Sequence, residues 1–346
     1  MSDQFCPLPA HDDDRIEPGH GAGGTLMHRL IDRVFRTAFG ADPAEPPHDG
    51  AILHLDRGRF AFTTDSFVVT PLEFPGGDIG ALAAIGTLND LAMCGAQPLH
   101  LSAGFVLEEG LDMALLRRIV TSMAAAASAA GVRFVTGDTK VVERGKGDGI
   151  YINTAGIGLV PDGVAISPSR VTAGDAVLLS GDIGRHGIAI LAAREGLGFE
   201  GAIESDLACL VPTVRALIDA GVDLHCLRDP TRGGLASALV EIATAAQMAV
   251  EINDAAVAVS EPVRGACALL GLDPWHVANE GRLVAFVPDR MAAQALAVLR
   301  AQPGGTQAAI IGRVTTGDTR GLVFARSLGG TRVIDMLSGE QLPRIC

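Results

Sequence analysis

Strand-like and helix-like patterns of apolar residues alternate along this chain. Period-two patterns and short apolar runs predict strands, as at 60–63 and 150–160. Apolar residues three and four positions apart predict helices, as at 111–130, where Gly131 follows as a C-cap. Because both halves alternate strands with helices, we predict an α/β (or α+β) fold with helices layered on sheets.

The predicted elements divide into two groups, with proline, glycine and serine clustered between them at 161–169. The predicted strands are 51–55, 60–63, 98–107, 132–135, 150–160, 176–179, 250–252, 283–287, 308–314, 322–325 and 331–334. The predicted helices are 26–39, 79–94, 111–130, 186–195, 207–220, 229–248, 261–270 and 290–300. We therefore predict a disordered leader at 1–19, a first domain at 20–165, a second at 166–337 and a mobile tail at 338–346.

Composition narrows the function classes. A formal net charge of −13 argues against a nucleic-acid surface and suits a protein whose acidic groups hold metal ions. Residues 1–15 lack the apolar run of a signal peptide, and no uncharged stretch is long enough to span a membrane. The six cysteines form no Cys-x-x-Cys pair, so we expect neither zinc nor disulfides and a reducing cytoplasm.

A glycine-rich segment at 19–24 has the spacing of a dinucleotide-binding loop. That use requires a strand immediately before the loop, and 12–18 predicts none. Two interpretations remain: a flexible hinge, or a loop whose backbone N–H groups fold over phosphates. In the second case the nucleotide-binding residues are Gly21, Gly23 and Gly24.

Four aspartates stand at the ends of predicted elements in the first domain: Asp49, Asp65, Asp90 and Asp138. One aspartate beside a turn is usually a turn or cap residue. Four in one domain, with Asn89 directly before Asp90, favour convergence on a cleft. Since Mg²⁺ is held by a few carboxylates plus water and phosphate oxygens, such a cleft predicts a metal-nucleotide site without a Walker loop.

Lysine is scarce in this chain. Only two of its 27 basic residues are lysines, Lys140 and Lys146. Lys140 follows Gly137-Asp138-Thr139, and a lysine kept among arginines suggests a compact charge on a phosphate. The alternative is a solvated turn residue, and the similar Thr-Gly-Asp-Thr string at 316–319 makes Gly-Asp-Thr weak evidence by itself.

Two polar segments stand out in the second domain. Asp229 and Pro230 are predicted as the N-cap and first residue of a helix. The Arg-Gly-Gly at 232–234 weakens a helix start, and close approach of a phosphate would explain it. The segment 279–281, Asn-Glu-Gly, precedes a strand and is either a polar turn or part of a site around Glu280.

The chain ends in Leu-Pro-Arg-Ile-Cys, so Cys346 presents a thiol with no residue beyond it. The nine residues of 338–346 reach roughly 30 Å when extended. Either this end is frayed, or it carries the thiol into a site elsewhere on the molecule.

The terminal Pro-Arg-Ile-Cys, together with the motifs above, resembles the HypE family of hydrogenase maturation proteins. These are carbamoyl dehydratases in the superfamily of aminoimidazole ribonucleotide synthetase and selenophosphate synthetase. The similarity runs from about residue 20 to Cys346. It implies a two-domain PurM-like architecture with a flexible C-terminal tail, a homodimer formed through the first domain, and ATP and Mg²⁺ as cofactors.

The resemblance also implies a reaction. Cys346 would receive a carbamoyl group from the carbamoyltransferase HypF, and ATP-dependent dehydration would convert it to a thiocyanate. The cyano group would then pass to the iron of a [NiFe] hydrogenase through the HypC–HypD complex. The alternatives are a small-molecule enzyme of the same superfamily and a non-catalytic scaffold. Selenophosphate synthetases carry a Cys or selenocysteine and a Lys in the glycine loop, and 20–24 has neither.

The predicted site combines these sources. The catalytic residues are Cys346, Lys140 and Glu280, the last as the base that the resemblance implies. The predicted metal ligands are Asp49, Asp65, Asp90 and Asp229, and the predicted nucleotide contacts are Gly21, Gly23, Gly24, Asn89, Asp138 and Thr139.

Overall fold

In the computed structural model, the first unit is a sheet with two long helices on one face. The structure describes residues 24–30, 32, 51–55, 58–198, 203–316, 320–337, 342 and 344–346. Helix α1 (Thr25–Leu30) comes first in the chain and contacts the second unit, where His28 pairs with Glu241. The first unit comprises β1 (Ala51–Leu55), β2 (Gly58–Phe67), β3 (Glu73–Phe74), β4 (Gly77–Asp78), α2 (Ile79–Met93), β5 (Gln97–Glu108), α3 (Met113–Ala129), β6 (Arg133–Val142) and β7 (Ile150–Val160).

The five-stranded sheet of this unit has the order β1-β2-β7-β5-β6. All neighbours are antiparallel except β5 and β6, which are parallel. Strand β7 alternates buried and accessible residues, because one face packs on α2 and α3. The other face leaves Phe62, Val68 and Leu159 exposed. The described residues therefore leave this face of the sheet uncovered and partly apolar.

The second unit is a seven-stranded sheet. In spatial order its strands are β14 (Gly330–Ile334), β13 (Val323–Ser327), β10 (Ala249–Asn253), β12 (Ala309–Thr315), β8 (Asp175–Leu179), β11 (Val284–Pro288) and β9 (Cys226–Arg228). Strands β8 and β11 are buried along their whole length, because helices cover both faces of the sheet there. The helices of this unit are α4 (Arg185–Glu195), α5 (Val211–Asp219), α6 (Gly234–Ala246), α7 (Glu261–Leu270) and α8 (Asp289–Ala301).

The predicted layering of helices on sheets is confirmed, and most predicted elements lie within a few residues of observed ones. None of the helices described is long and apolar enough to cross a membrane. The two units share one apolar cluster, in which Phe67 and Ile79 of the first pack with Ile188 and Val277 of the second. Chain segments from the two units are therefore held at a defined position across this junction.

The predicted start of the helix at residue 229 is wrong. Helix α6 begins at Gly234, and its N-cap is Gly233 rather than Asp229. Gly233 and Gly234 have φ values of 73° and 62°, in the left-handed region, so the helix cannot extend back through them. Asp229 and Pro230 instead lie in the connection from β9, and Asp229 is buried there.

The predicted strand 132–135 is too short. Strand β6 continues to Val142, so Asp138, Thr139 and Lys140 lie within a strand and not in a turn. Gly137 allows this pairing, since a Cβ there would meet the backbone oxygen of Ala103 at 2.4 Å. Although the sequence Gly-Asp-Thr is typical of a turn, pairing with β5 holds these residues in an extended strand.

Candidate active site

The chain terminus lies against the junction of the two units. The backbone N–H of Val68 donates to the oxygen of Cys346 at 3.1 Å, and that of Thr70 donates to Arg344 at 3.2 Å. The side chains of Leu342 and Ile345 are buried in the shared apolar cluster. In this structure the terminus is therefore inserted, a position that the sequence left open.

Three side chains hold the inserted terminus. His186 Nε2 lies 2.6 Å from the carbonyl oxygen of Ile345, and Arg194 donates to that of Arg344 at 2.6 Å. The guanidinium of Arg344 in turn pairs with Asp148. Two of these contacts are made to backbone carbonyls, so they specify the path of the chain more than its side chains.

Arg232 is the cation of the cleft that receives the terminus. The negative charge of Cys346 raises its pKa further above the usual value, with smaller contributions from Asp65, Glu280 and Asp90. Arg232 keeps a solvent-exposed surface, so its interactions with these charges are partly screened. The terminal residue and three predicted site residues therefore lie around one guanidinium.

Glu280 is a deeply buried acid of this cleft. It is 3% exposed, and its Oε1 atom has no hydrogen-bond partner among the described residues. Burial raises its pKa well above the ordinary value, and the neighbouring charges of Asp229, Asp206 and Asp65 raise it further. A buried carboxyl with an open oxygen and a raised pKa binds a proton more strongly than an ordinary carboxylate does, which is a property required of a general base.

The backbone around Glu280 is held from two directions. The carboxylate of Asp206 accepts the N–H groups of Glu280 and Gly281 at 3.2 and 3.1 Å. From the first unit, Asn89 Nδ2 donates to the Glu280 carbonyl at 3.4 Å. These contacts fix the position of the candidate base relative to α2.

Asn89 has a structural role in this arrangement. Its amide also donates to the carbonyl of Ala208 at 3.1 Å and accepts the N–H of Leu210 at 2.7 Å. The side chain is thus directed at the backbone of the second unit. Its predicted contact with a nucleotide stays a prediction.

Two of the predicted metal ligands lie where β2 and α2 face each other. Burial raises the pKa of Asp65, and the charge of Arg232 opposes that shift. Asp90 accepts a hydrogen bond from Thr63 at 2.7 Å. No three His, Cys, Asp or Glu side chains form a metal site within the described part of the chain. A magnesium ion here would need oxygens from phosphate and water as well.

Lys140 and Asp138 lie on the uncovered face of the first sheet. Their side chains pair at 2.7 Å and are each at least 70% exposed, so the ion pair is weak. The hydrogen bond from Lys140 lowers the pKa of Asp138. Both line an open cavity of about 270 Å³ that also includes Val68, whose N–H holds Cys346. The lysine is therefore solvated in the single chain, although it neighbours the inserted terminus.

The predicted glycine loop is described only at Gly24. A Cβ at this position would meet the carbonyl oxygen of Leu337 at 2.2 Å, so Gly24 packs against the start of the tail. Gly21, Gly23 and Asp49 lie outside the described residues, and Thr139 lies on β6 beside Asp138.

Sequence reasoning did not assign His186, Arg194 or Asp206 to the site. Each acts on a partner distant in the chain: 159 residues separate His186 from Ile345. A local pattern cannot report such contacts. The signal available was the Arg-Gly-Gly at 232–234, which marked Arg232 but not the groups around it.

Comparison with known proteins defines the class first. Residues 47–160 match the N-terminal domain, and residues 172–324 the C-terminal domain, of AIR synthase related proteins. The chain is therefore a two-domain, PurM-like protein of this class. It is also 51% identical to carbamoyl dehydratase HypE of Azotobacter vinelandii, over 96% of this chain and 97% of the relative.

Solved structures agree with this relationship. A crystal structure of HypE in complex with ATP is 50% identical, with a TM-score of 0.81, covering 94% of this chain and 98% of that one. The HypE–HypF complex contains a chain 44% identical, with a TM-score of 0.84, covering 89% and 99%. The chain belongs to the HypE family: it is a carbamoyl dehydratase of hydrogenase maturation. The small-molecule and scaffold alternatives are set aside on this basis.

Proposed function

We propose that this chain dehydrates a carbamoyl group on its own Cys346, using ATP and Mg²⁺. The observation that carries this proposal is the insertion of Cys346 beside Arg232 and the buried Glu280. The thiocarbamate nitrogen loses two protons, the carbon–oxygen bond breaks, and a thiocyanate remains on sulfur. ATP supplies the phosphoryl group with which the oxygen leaves as phosphate.

The residues of the cleft divide this work. Glu280 takes a proton from the amide nitrogen, because its Oε1 is open and its raised pKa makes it a stronger base than an ordinary carboxylate. Arg232 offsets negative charge that develops on the departing oxygen. The tail keeps its thiol at high local concentration without a separate binding step.

Carboxylate oxygens suited to Mg²⁺ border the same cleft. The charges of Asp65 and Asp90 raise the pKa of Arg232, and the charge of Asp229 raises the pKa of Glu280. All three carboxylates therefore lie near the groups that surround the terminus. Carboxylates are the side chains Mg²⁺ prefers, and phosphate oxygens would complete its shell. The ATP complex of the relative described above supports a nucleotide here. From the family resemblance we include Asp49 among the metal ligands, and Gly21 and Gly23 in the nucleotide site.

We expect Asp65→Asn and Asp90→Asn each to weaken Mg-ATP binding by tenfold or more, because each removes a carboxylate from the metal's coordination. Isothermal titration with a non-hydrolysable ATP analogue, at several Mg²⁺ concentrations, measures this. Asp162→Asn is the control, since that residue is exposed in the linker between the units. Unchanged affinity in both test variants, with unchanged circular dichroism, would place the nucleotide elsewhere.

Lys140→Arg is expected to slow dehydration about a hundredfold, the cost of losing one preorganised electrostatic contact. The wider guanidinium would fit badly against a phosphate in an enclosed site. Single-turnover conversion of thiocarbamate to thiocyanate measures the effect. Lys146→Arg is the control, because Lys146 lies in the exposed connection between β6 and β7. If both variants keep near-wild-type rates, Lys140 is a solvated residue without a phosphate contact.

We further propose that the chain acts as a homodimer. The exposed apolar residues Phe62, Val68 and Leu159 support a second copy packing on the uncovered face of the first sheet. Such packing would enclose the cavity that contains Lys140, which is open in the single chain. The cytoplasmic location suggested by the cysteine pattern stays a prediction.

HypF is the partner we propose for carbamoylation, on the strength of the solved HypE–HypF complex. The inserted terminus is held by contacts to Val68, Thr70 and His186, so transfer to the thiol requires the tail to leave the cleft. The HypC–HypD complex is the acceptor of the cyano group that the resemblance implies. The tail therefore alternates between an external donor or acceptor and the internal site.

A further inference from the structure

A relay of three hydrogen bonds ends on the inserted tail. The N–H of Leu207 donates to Ser205 Oγ at 3.1 Å, and Ser205 Oγ lies 2.8 Å from His186 Nδ1. His186 Nε2 lies 2.6 Å from the carbonyl oxygen of Ile345. The imidazole is fully buried and meets the Phe74 ring edge-on, with centroids 5.6 Å apart. Its orientation is thus fixed by packing as well as by hydrogen bonds.

The chemistry of the acceptors determines the proton positions in this relay. The Ile345 carbonyl can only accept, so His186 Nε2 carries a proton and donates it. Burial lowers the pKa of His186, which keeps the ring neutral, so its Nδ1 accepts from the Ser205 hydroxyl. The Ser205 oxygen in turn accepts from Leu207 N–H. Every donor in the relay has one acceptor, and the tautomer is fixed.

The same short segment holds the candidate base. Asp206, between Ser205 and Leu207, accepts the backbone N–H groups of Glu280 and Gly281. The N–H of Ser205 donates to the carbonyl of Pro75 at 2.9 Å, which anchors the segment on the first unit. The group that orients His186 and the group that positions Glu280 are therefore neighbours on one hydrogen-bonded stretch of chain.

We propose that His186 is a positioning residue that latches the inserted tail through its Nε2–H bond to Ile345, and that Ser205 sets the tautomer this latch requires. The proposal builds on the function proposed above, in which Cys346 must reach Glu280. One neutral hydrogen bond shifts an equilibrium about two- to tenfold, enough to hold the tail but weak enough to release it to a partner. The latch acts on backbone, so it is insensitive to what the sulfur carries.

The test measures access to the Cys346 thiol in the ATP-free, uncarbamoylated protein. Iodoacetamide labelling is followed by mass analysis of the C-terminal peptide. We expect His186→Phe to label about tenfold faster than wild type, because the tail spends more time outside the cleft. His186→Gln should stay near wild type, since its amide N–H can still donate to Ile345. Ser205→Ala should fall between them.

Buried cysteines provide an internal control in the same digest. Cys94 and Cys226 are at most 1% exposed and stay unlabelled in any variant that remains folded. Wild-type labelling of Cys346 in His186→Phe, with these two protected, would overturn the latch. If His186→Phe exposes them and is therefore unfolded, Ser205→Ala decides, and a wild-type rate in that variant is equally fatal.

Dehydration rates separate the latch from the proposed reaction. Single-turnover conversion should fall in His186→Phe and recover in His186→Gln, while binding of an ATP analogue is unchanged. The labelling assay contains neither ATP nor a carbamoyl group, so it reports on the latch alone. A chain with the expected labelling pattern but no dehydration would refute the proposed function and leave the latch standing.

Discussion

Cys346→Ala is expected to abolish the reaction completely, because it removes the sulfur that carries the substrate. After incubation with ATP, carbamoyl phosphate and the carbamoyltransferase, peptide mass mapping should find a carbamoyl or cyano adduct on Cys346 of the wild type and no adduct in the variant. The terminus lies beside Arg232 in this structure, which is the position that the proposed reaction requires.

Cys209→Ala is the matched control for that experiment. Cys209 is partly accessible, but burial raises the pKa of its thiol, so little of the reactive thiolate forms near neutral pH. The control variant should carry the adduct on Cys346 at wild-type yield. An adduct that persists in Cys346→Ala would show that another residue carries the substrate.

Glu280→Gln should slow dehydration by roughly 10²- to 10⁴-fold, the usual contribution of a positioned general base. Carbamoylation by the transferase should be unaffected, so the thiocarbamate should accumulate on Cys346 and be visible by intact mass. Glu204→Gln is the control, because Glu204 is an exposed glutamate near Asp206. Rapid thiocyanate formation in Glu280→Gln would assign the base to another residue.

The raised pKa of Glu280 has two further measurable consequences, one for the wild-type rate and one for the stability of Glu280→Gln. The base form appears as pH rises through the raised pKa, so the wild-type rate should increase over that range. Between the ordinary and the raised pKa the folded state binds more protons than the unfolded state, so the free energy of unfolding falls as pH increases. Glu280→Gln should remove that loss and unfold at a higher temperature than wild type at neutral pH. A lower unfolding temperature would show that the buried carboxylate stabilises the fold, contrary to this expectation.

Much of the architecture is predictable from local pattern. The helix α7 was predicted with its observed bounds, Glu261–Leu270, and the strand β7 likewise, Ile150–Val160. Apolar spacing reports which face of an element is buried, and that is sufficient when the element is long and regular. The prediction was wrong where the conformation of a glycine could not be inferred from its neighbours in the sequence. At 233–234 the two glycines form left-handed turns before α6, and at Gly137 a glycine that suggests a turn lies within a paired strand.

The candidate site was likewise predictable from the sequence only in part. Glu280, the acidic residues and the terminal Cys346 could be named from residue type, local context and family resemblance. The sequence left open that the tail is inserted, and it gave no indication that Asn89 is committed to backbone 119 to 191 residues away.

By itself, the sequence determined the alternation of strands and helices, the acidic character of the cleft and the terminal thiol, because each is a property of residues close together in the chain. Only the tertiary structure decided that Arg232 lies among Cys346, Asp65 and Glu280, and that His186 reaches Ile345. Those relationships depend on how the two units share one apolar cluster across their junction. Packing of that kind is set by side chains from both units at once, and no local pattern records it.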